Sequence, residues 1–313
     1  MADDRPELPA IQATNAFFYY DDVGLAWDFY TRILGLPTAA DYGFAKILRV
    51  SRGSYLTLVD ADRGMHTTAE PKSVTLALVT EEVEGWWEYL QREGIEMRAD
   101  LNYREGQPHD GFVAKDPEGY FLEFERFNPH PENERLMPLL DAVQALYPDG
   151  GEPAPGVTSA RPADLGIQAT VFWLYYRDLE AIQEFYEAVL GVQMVVDQGW
   201  AKVYPVSSTG FIGFVDGERG LHEATDEKAV TVSFFTADVD AWFEHLRAWG
   251  EMELRTPEIS GEGDFVRTFV GYDPEGYFLE WDTFLDVESN RELLPLLEGA
   301  EDEPSRRGGR DGG

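Results

Sequence analysis

The stretch Asp-Pro-Glu-Gly-Tyr-Phe-Leu-Glu decides the fold, because it occurs twice, at residues 116–123 and again at 273–280. The match extends outward from it on both sides, so that residues 13–140 recur as residues 169–297 almost without gaps. Chance does not produce agreement over so long a segment. The chain is therefore an internal duplication, and each copy is long enough to bury a core of its own.

The duplication also sets the domain boundaries. We expect a first module over residues 10–144 and a second over residues 166–300. Residues 145–165 between them are rich in Pro and Gly and are typical of a linker. Residues 301–313 lack apolar side chains, so we expect a disordered tail there.

Each copy repeats one order of strand and helix signals. The segment 13–20 is aromatic and predicts a strand, and the helix after it has Leu25, Phe29 and Ile33 on its apolar face and ends at Gly35. The other predicted elements of the first copy are strands near 38–42, 45–50, 54–60 and 74–79, a helix over 83–92, and strands near 96–99, 111–115 and 121–127. Each copy is thus two βαβββ units, and the tandem modules predict an α+β fold of cupped mixed sheets with helices outside.

Two short motifs give this layout a family resemblance. A Phe-Tyr pair and a Leu-Gly pair end the first helix of each copy, and the repeated Asp-Pro-Glu-Gly is followed by Glu123 or Glu280. In the order and spacing of these motifs the chain resembles the vicinal oxygen chelate superfamily, which includes glyoxalase I, bleomycin-resistance proteins and extradiol dioxygenases. The resemblance implies two modules packed as an internal pseudo-dimer, with cups formed by pairs of units.

Metal-dependent members of that superfamily hold a divalent ion with side chains from four strands of a cup. In this chain the corresponding positions are Asn15, Thr57, Thr75 and Glu123 in the first copy, and Val171, Gly213, Thr231 and Glu280 in the second. None is a histidine, and one carboxylate with neutral oxygens is a poor site for Zn, Ni or Fe. We therefore expect no cofactor; a divalent metal is disfavoured, with Asn15 and Glu123 as its weak candidate ligands.

Three matched pairs are the candidate site residues: Glu123 and Glu280, Lys46 and Lys202, and His66 and His222. A half-buried glutamate is a candidate general base or ligand anchor, a lysine in a cup would hold an anionic oxygen, and a histidine at the rim would exchange protons. Each pair also has a structural alternative, namely a carboxylate bonded to Arg or backbone, a lysine in an ion pair, or a histidine that packs in a loop. We expect the unmatched His109, His130 and His245 at the surface.

Aromatic residues are dense in the first strand of each copy. They are Phe17, Phe18, Tyr19 and Tyr20 in one copy, and Phe172, Trp173, Tyr175 and Tyr176 in the other. Alternate residues of a strand share a face, so half of them are expected to line a cup, which suits a flat or apolar ligand. The alternative is ordinary sheet core.

The composition restricts partners and location. The 59 acidic and 25 basic residues give a net charge of −34, which argues against binding to nucleic acid or anionic membrane. There is no cysteine, no apolar run of the roughly 18 residues that a spanning helix needs, and no secretory signal, so we expect a cytoplasmic protein. Only five basic residues are lysine. This balance favours a halophilic protein that loses its structure when salt is removed.

Three functions are compatible with the sequence. A small-molecule binding protein, like the bleomycin-resistance members, needs an aromatic cup but no metal, so the missing ligands favour it. A lyase, isomerase or dioxygenase with an atypical or metal-free site would use Glu123, Lys46 and His66. A non-catalytic structural or interaction module, with its cups filled by side chains, would explain Val171 and Gly213.

Overall fold

The computed structural model describes residues 8–148, 158–262 and 264–301. The predicted linker lies partly outside these ranges, as does the predicted tail after its first residue. Two mixed β-sheets, of nine and eight strands, form the framework. None of the helices within these ranges is long and apolar enough to cross a membrane.

The first copy contains the two predicted units. Its first unit consists of β1 (Ile11–Tyr20), α1 (Val23–Asp28) continued by a π-helical turn (Phe29–Ile33), β2 (Thr38–Asp41), β3 (Ala45–Ser51) and β4 (Ser54–Asp60). Its second unit consists of β5 (Val74–Val79), α2 (Val83–Arg92), β6 (Met97–Asn102), β7 (His109–Lys115) and β8 (Phe121–Phe127), followed by a 3-10 turn (Pro131–Asn133) and α3 (Met137–Asp141). The predicted order of elements is confirmed.

The second copy repeats this order. The third unit consists of β9 (Ala169–Tyr176), α4 (Leu179–Leu190), β10 (Val196–Asp197), β11 (Ala201–Pro205) and β12 (Gly210–Asp216). The fourth consists of β13 (Val230–Thr236), α5 (Val239–Trp249), β14 (Glu253–Leu254), β15 (Ser260–Glu262), β16 (Val266–Tyr272) and β17 (Phe278–Phe284), followed by a 3-10 turn (Glu288–Asn290) and α6 (Leu293–Glu301). The α+β fold of four units is therefore the one that the repeat predicts.

The sheets join units from different copies. β1 pairs antiparallel with β13, so the first and fourth units form the nine-stranded sheet. β5 pairs antiparallel with β9, so the second and third units form the eight-stranded sheet. The family's ligand positions, which we grouped within each copy, are consequently divided between two sheets.

One hydrophobic core lies between the two sheets and the helices α1, α2, α4 and α5. In β1, Ala16, Phe18 and Tyr20 belong to this core, whereas Ala13 and Tyr19 belong to smaller clusters on the opposite face. We call that opposite face of the nine-stranded sheet the outer cup, and the corresponding face of the eight-stranded sheet the inner cup. Each cup therefore combines side chains from both copies.

The repeated Asp-Pro-Glu-Gly-Tyr stretch ties the units together. Oδ2 of Asp116 accepts hydrogen bonds from the hydroxyls of Tyr20 (2.6 Å) and Tyr30 (3.1 Å), and Oδ1 accepts one from the backbone N–H of Tyr120 (2.8 Å). Asp273 makes the same contacts in the second copy. A hydrogen bond to a charged group contributes about 1.5–3 kcal/mol to stability. The motif that carries the family resemblance thus joins the first strand and the first helix of each copy to the turn between the last two strands of the same copy.

The first helix differs from the prediction in one respect. Leu25 is 52% exposed, and the buried side chains of α1 and its π-helical turn include Ala26, Phe29, Tyr30 and Ile33. Leu25 precedes Ala26 by one residue, which is about 100° around a helix, so it faces solvent when Ala26 faces the sheet. The predicted inward position of Leu25 is therefore wrong.

Candidate functional site

The inner cup contains a cavity of about 230 Å³. Side chains from β7, β8, β9, β10, β11 and β12 line it, together with the segment between β10 and β11 and the loop after β12. A cavity of about 150 Å³ holds a benzene molecule. The inner cup therefore has room for one substituted aromatic ring.

Two carboxylates lie side by side in this cavity. Glu123 and Glu125 are two residues apart on β8 and so share the cup face. Glu125 is only 2% exposed, its Oε1 has no hydrogen-bond partner, and within the described ranges neither carboxylate forms an ion pair with a basic side chain. Burial raises the pKa of Glu123 to about 7, and burial followed by the charge of Glu123 raises the pKa of Glu125 well above its usual range. The pair therefore retains a proton at neutral pH.

Trp173 on β9 shapes the cavity, and Gly213 on the neighbouring strand makes room for it. A Cβ atom at position 213 would lie 2.1 Å from Cε3 of the indole, which no packed structure tolerates. The indole lies beside Glu125 and lowers the pKa of that carboxyl in part, but its Nε1 has no hydrogen bond of normal geometry. Gly213, which in sequence favoured a degenerate cup, is thus required by the shape of this one.

The remaining wall contains His109, Gln198, Trp200 and Arg219. The expected surface position of His109 is wrong: β7 begins at His109, two residues before the predicted start, and the alternation of the strand turns its side chain into the cup. Burial lowers the pKa of His109, which favours the neutral ring. The exposed Arg219 lies at the rim, with its guanidinium 5.0 Å from the ring centre of Trp200.

The outer cup is polar and internally hydrogen-bonded. Thr57 donates to Oδ1 of Asn15 (2.9 Å), and the hydroxyls of Tyr19 and Thr231 lie 2.8 Å apart. Glu280 is buried on the same face. Three of the four ligand positions of this cup therefore bind one another or a tyrosine.

An aromatic pair bridges the outer cup. Tyr42, at the end of β2, stacks on Phe265, just before β16, with ring centroids 4.0 Å apart and planes inclined by 13°. The Tyr42 hydroxyl also donates to Asn290 (2.6 Å). Because β2 and β16 lie near opposite edges of the sheet, this contact crosses the cup. The matching residues of the inner cup are Gln198 and Pro108, which leave it open.

The structure places both predicted lysines outside the cups. Lys46 lies on the core-side face of β3, 5.3 Å from the ring centre of Trp27 in α1, and its Nζ is 2.6 Å from Asp41. Lys202 lies on the core-side face of β11, and its Nζ is 3.2 Å from the carboxylate of Asp197. The expected position of a lysine in a cup is therefore wrong, because strand alternation points these side chains to the helix side.

The predicted enzyme set of Glu123, Lys46 and His66 is also dispersed. Glu123 lies in the inner cup. Lys46 lies on the core-side face of the nine-stranded sheet, and His66 lies beside the outer cup, where it packs against Tyr19. The cause is the pairing of units across copies. Glu123 instead shares its cup with residues of the second copy, among them Tyr175, on which His222 packs.

The two matched histidines occupy equivalent places at the rims. Nδ1 of His66 is 2.6 Å from the Glu70 carboxylate, yet burial outweighs that contact and lowers the pKa of the ring. Burial lowers the pKa of His222 to about 4. The Nε2 atom of each ring lacks a hydrogen-bond partner. At neutral pH His222 is therefore an uncharged ring that supports Tyr175.

A divalent transition metal does not fit the donors of either cup. Regrouped by sheet, the family's positions are Asn15, Thr57, Thr231 and Glu280 in the outer cup, and Thr75, Glu123, Val171 and Gly213 in the inner cup. Thr75 is engaged with the Tyr175 hydroxyl (2.7 Å), and Val171 and Gly213 have no donor at all. Across the described part of the chain, no three His, Cys, Asp or Glu side chains cluster as a metal site. One carboxylate among the four family ligand positions of each cup is too few for such an ion.

Sequence reasoning missed Glu125, Gln198, Trp200 and Arg219. A signal for Glu125 was present, because it lies two residues after Glu123 and so shares its strand face. A signal for Gln198 was also present, since a tyrosine occupies its place in the first copy. Differences between the copies, as well as their agreements, indicated the site.

Comparisons with known proteins agree with this architecture. The family model of the Glyoxalase/Bleomycin resistance protein/Dioxygenase superfamily matches residues 12–124 and 166–281. Glyoxalase I from Zea mays is similar in structure, with a TM-score of 0.59 and 14% identity over 94% of this chain and 97% of that one. So is a putative dioxygenase from Bacillus subtilis, with a TM-score of 0.59 and 13% identity over 90% of this chain and 86% of that one. At such identities the likeness concerns the fold alone, and no curated protein matches in sequence.

Proposed function

The chain belongs to the Glyoxalase/Bleomycin resistance protein/Dioxygenase superfamily, and on that premise we propose that it binds one small aromatic molecule in the inner cup. The supporting observation is the cavity of about 230 Å³, which is lined by Glu125 and Trp173, two residues whose Oε1 and Nε1 atoms make no hydrogen bond of normal geometry. A buried polar atom without a partner costs about 1–3 kcal/mol. A ligand that supplies the partners recovers this free energy.

The walls favour an aromatic body for that ligand. Trp173, Tyr175, Trp200 and Phe127 all line the cavity. A well-oriented aromatic pair contributes about 0.5–1.5 kcal/mol beyond the burial of its area. Several such faces around one small volume select a flat ring over a flexible chain of the same size.

A pair of matched substitutions tests this proposal. Ala201 lines the inner cavity, and Ala45 occupies the same position in the outer cup; both are buried on strands of the same kind. Ala201→Leu fills part of the cavity, so we expect it to abolish binding of benzyl alcohol and benzylamine. Ala45→Leu inserts the same volume elsewhere and is the control. Saturation-transfer NMR of the two probes with the full chain measures the effect.

The outcome is decisive in either direction. Binding that survives Ala45→Leu and is lost in Ala201→Leu supports the inner cup as the site. Equal binding by both variants, after thermal melts show that both are folded, would place the probe elsewhere and overturn the proposal.

A second candidate function is metal-free proton transfer, as in a lyase or isomerase, and the raised pKa of Glu123 favours it. A carboxyl group with a pKa of about 7 is suited to act as general acid and base at neutral pH. The test is deuterium exchange into the acidic C–H bonds of phenylacetone, followed by NMR. Exchange faster than in buffer, lost in Glu123→Gln, would support catalysis, and exchange at the buffer rate would contradict it.

A further inference from the structure

We propose that the ligand of the inner cup is an organic cation, with an amine, amidine or quaternary ammonium group on an aromatic body. This inference rests on the proposed function and specifies the chemical class of its ligand. It starts from the half-buried Glu123 and the buried Glu125, two carboxylates that form no ion pair within the described ranges and that line one small cavity with several aromatic rings.

Among the residues that the structure describes, no fixed positive charge inside the inner cup neutralises these carboxylates. His109 faces them from β7 and Tyr175 from β9, and burial favours the uncharged form of both side chains. His222, behind Tyr175, is uncharged for the same reason. Of the described residues that line the cavity, Arg219 is the remaining cation, and its guanidinium lies over Trp200 at the exposed rim. Arg98 of β6 lies outside this lining, with its guanidinium 5.7 Å from the ring centre of Phe121.

A buried carboxylate is stable when a cation pairs with it and costly when none does. The described part of the protein supplies none to Glu123 or Glu125, although it pairs the buried Asp110 nearby with Arg126 (2.9 Å). The unpaired carboxylates thus leave a place for a positive charge from outside. An ammonium or amidinium group between them would donate the hydrogen bond that Oε1 of Glu125 lacks.

The aromatic walls favour the same class of ligand. A cation within about 6 Å of an indole or phenol face gains about 0.5–2 kcal/mol, most when it is shielded from water. Trp173, Trp200 and Tyr175 provide such faces around the carboxylates. An anionic ligand would instead meet like charges on β8.

The outer cup has a carboxylate at the position that matches Glu125, and this carboxylate is hydrogen-bonded within the protein. Asp282, the match of Glu125, accepts a hydrogen bond from Ser233. The inner cup has Ala77 at the place of Ser233, so this donor is missing beside Glu125. The loss of an internal donor is what a site for an external donor requires.

The pH dependence distinguishes a cationic ligand from others. A cation binds best when both carboxylates are ionised, and the pKa of Glu123 is about 7. Its affinity should therefore rise as the pH increases from 6 to 8, with release of a proton. A neutral or anionic ligand that accepts a hydrogen bond from the protonated pair should show the opposite trend.

Calorimetric titration of the full chain with three probes of one shape tests the inference: benzylamine, benzyl alcohol and benzoate, each at pH 6 and pH 8. We expect benzylamine to bind about tenfold or more tightly than benzyl alcohol at pH 8. We expect this preference to vanish in the double variant Glu123→Gln/Glu125→Gln. The control is Glu88→Gln/Glu93→Gln, which removes the same charge from two exposed positions, on α2 and directly after it, and should retain the preference for benzylamine.

Each outcome has a defined meaning. Equal binding of benzylamine and benzyl alcohol, both lost in Ala201→Leu, would overturn the cation inference while the proposed function stands. A preference for benzylamine that both double variants reduce equally would assign it to the overall negative charge, and would also overturn the inference. Absence of binding by all three probes at both pH values would overturn the proposed function as well.

Discussion

The outer and inner cups share eight strands in the same order, with β15 as an additional strand of the outer cup, yet one cup is bridged and the other is open. Tyr42 and Phe265 stack across the outer cup, whereas Gln198 and Pro108 occupy the same places in the inner cup. The difference shows that a duplicated fold can retain its frame while its two surfaces diverge. The conserved frame includes the hydrogen bonds that Asp116 accepts in the first copy, which Asp273 accepts in the second.

The polar side chains of the cups have diverged in the same sense. The outer cup pairs several of its polar groups internally, as when Thr57 donates to Oδ1 of Asn15, although Nδ2 of Asn15 has no partner. The inner cup replaces this pair by Gly213 and Val171, and leaves the Nε1 atom of Trp173 unsatisfied. We propose that the inner cup binds a ligand and the outer cup does not, and the following substitutions exchange their features.

The largest effect is expected from Gly213→Thr, which introduces the outer-cup residue into the inner cup. The new side chain collides with the indole of Trp173, so the free energy of unfolding should fall by about 3 kcal/mol or more. Urea unfolding measures it. Adding Trp173→Phe, which reproduces Phe17 of the outer cup, should recover most of the loss, and a double variant no more stable than Gly213→Thr alone would show that the indole is not the cause.

The next effect concerns the charge of the inner cup. Burial raises the pKa of Glu123 to about 7 in the folded chain from 4.5, so its ionisation opposes folding as the pH rises through that range. Glu123→Gln should therefore raise the free energy of unfolding by about 3 kcal/mol at pH 8 and leave it unchanged at pH 4. Unfolding curves at the two pH values, with the exposed Glu88→Gln as control, measure this. A gain that is equal at both pH values would contradict the assignment.

A smaller effect should follow when the outer cup is opened. Tyr42→Gln removes the stack on Phe265 and the hydrogen bond to Asn290, at a cost of about 1–2 kcal/mol. Gln198→Ala, at the matching place in the open cup, should change stability by less than about 0.5 kcal/mol. Thermal unfolding of both variants compares the two, and equal losses would refute the contrast.

The smallest effect has the opposite sign. Ala77→Ser gives the inner cup the hydroxyl that Ser233 supplies in the outer cup, so Glu125 gains a donor and the free energy of unfolding should rise by about 0.5–1 kcal/mol. Urea unfolding at pH 8 measures the gain. Destabilisation by this variant would mean that the Glu125 carboxyl is out of reach of position 77.

The elements of the fold were predictable, because each has a local signal. The strand Val74–Val79 and the helix Val83–Arg92 have their predicted bounds, since a valine-rich run and a helix with a Gly stop are read from neighbours in sequence. The aromatic expectation was also correct: Trp173 and Tyr175 line the cavity, while Phe172 faces the core. These predictions need only the two-residue period of a strand.

The composition of each cup could not be predicted in the same way. Which strand pairs with β1 depends on contacts between segments far apart in sequence, and both copies present equivalent edges. Grouping Glu123 with His66 followed from treating each copy as a closed module. The prediction that Lys46 lies in a cup was wrong for a simpler reason. Its neighbour Ile47 packs on the outer-cup side, so the alternation of the strand points Lys46 to the opposite face.

We propose that one of the two cups binds a ligand, and the number of ligand molecules bound per chain distinguishes this from binding by both cups. Isothermal titration of the full chain with benzylamine at pH 8 should give one site per chain, abolished by Ala201→Leu and unaffected by Ala45→Leu. Two equivalent sites per chain, or one site that Ala45→Leu removes, would contradict the account.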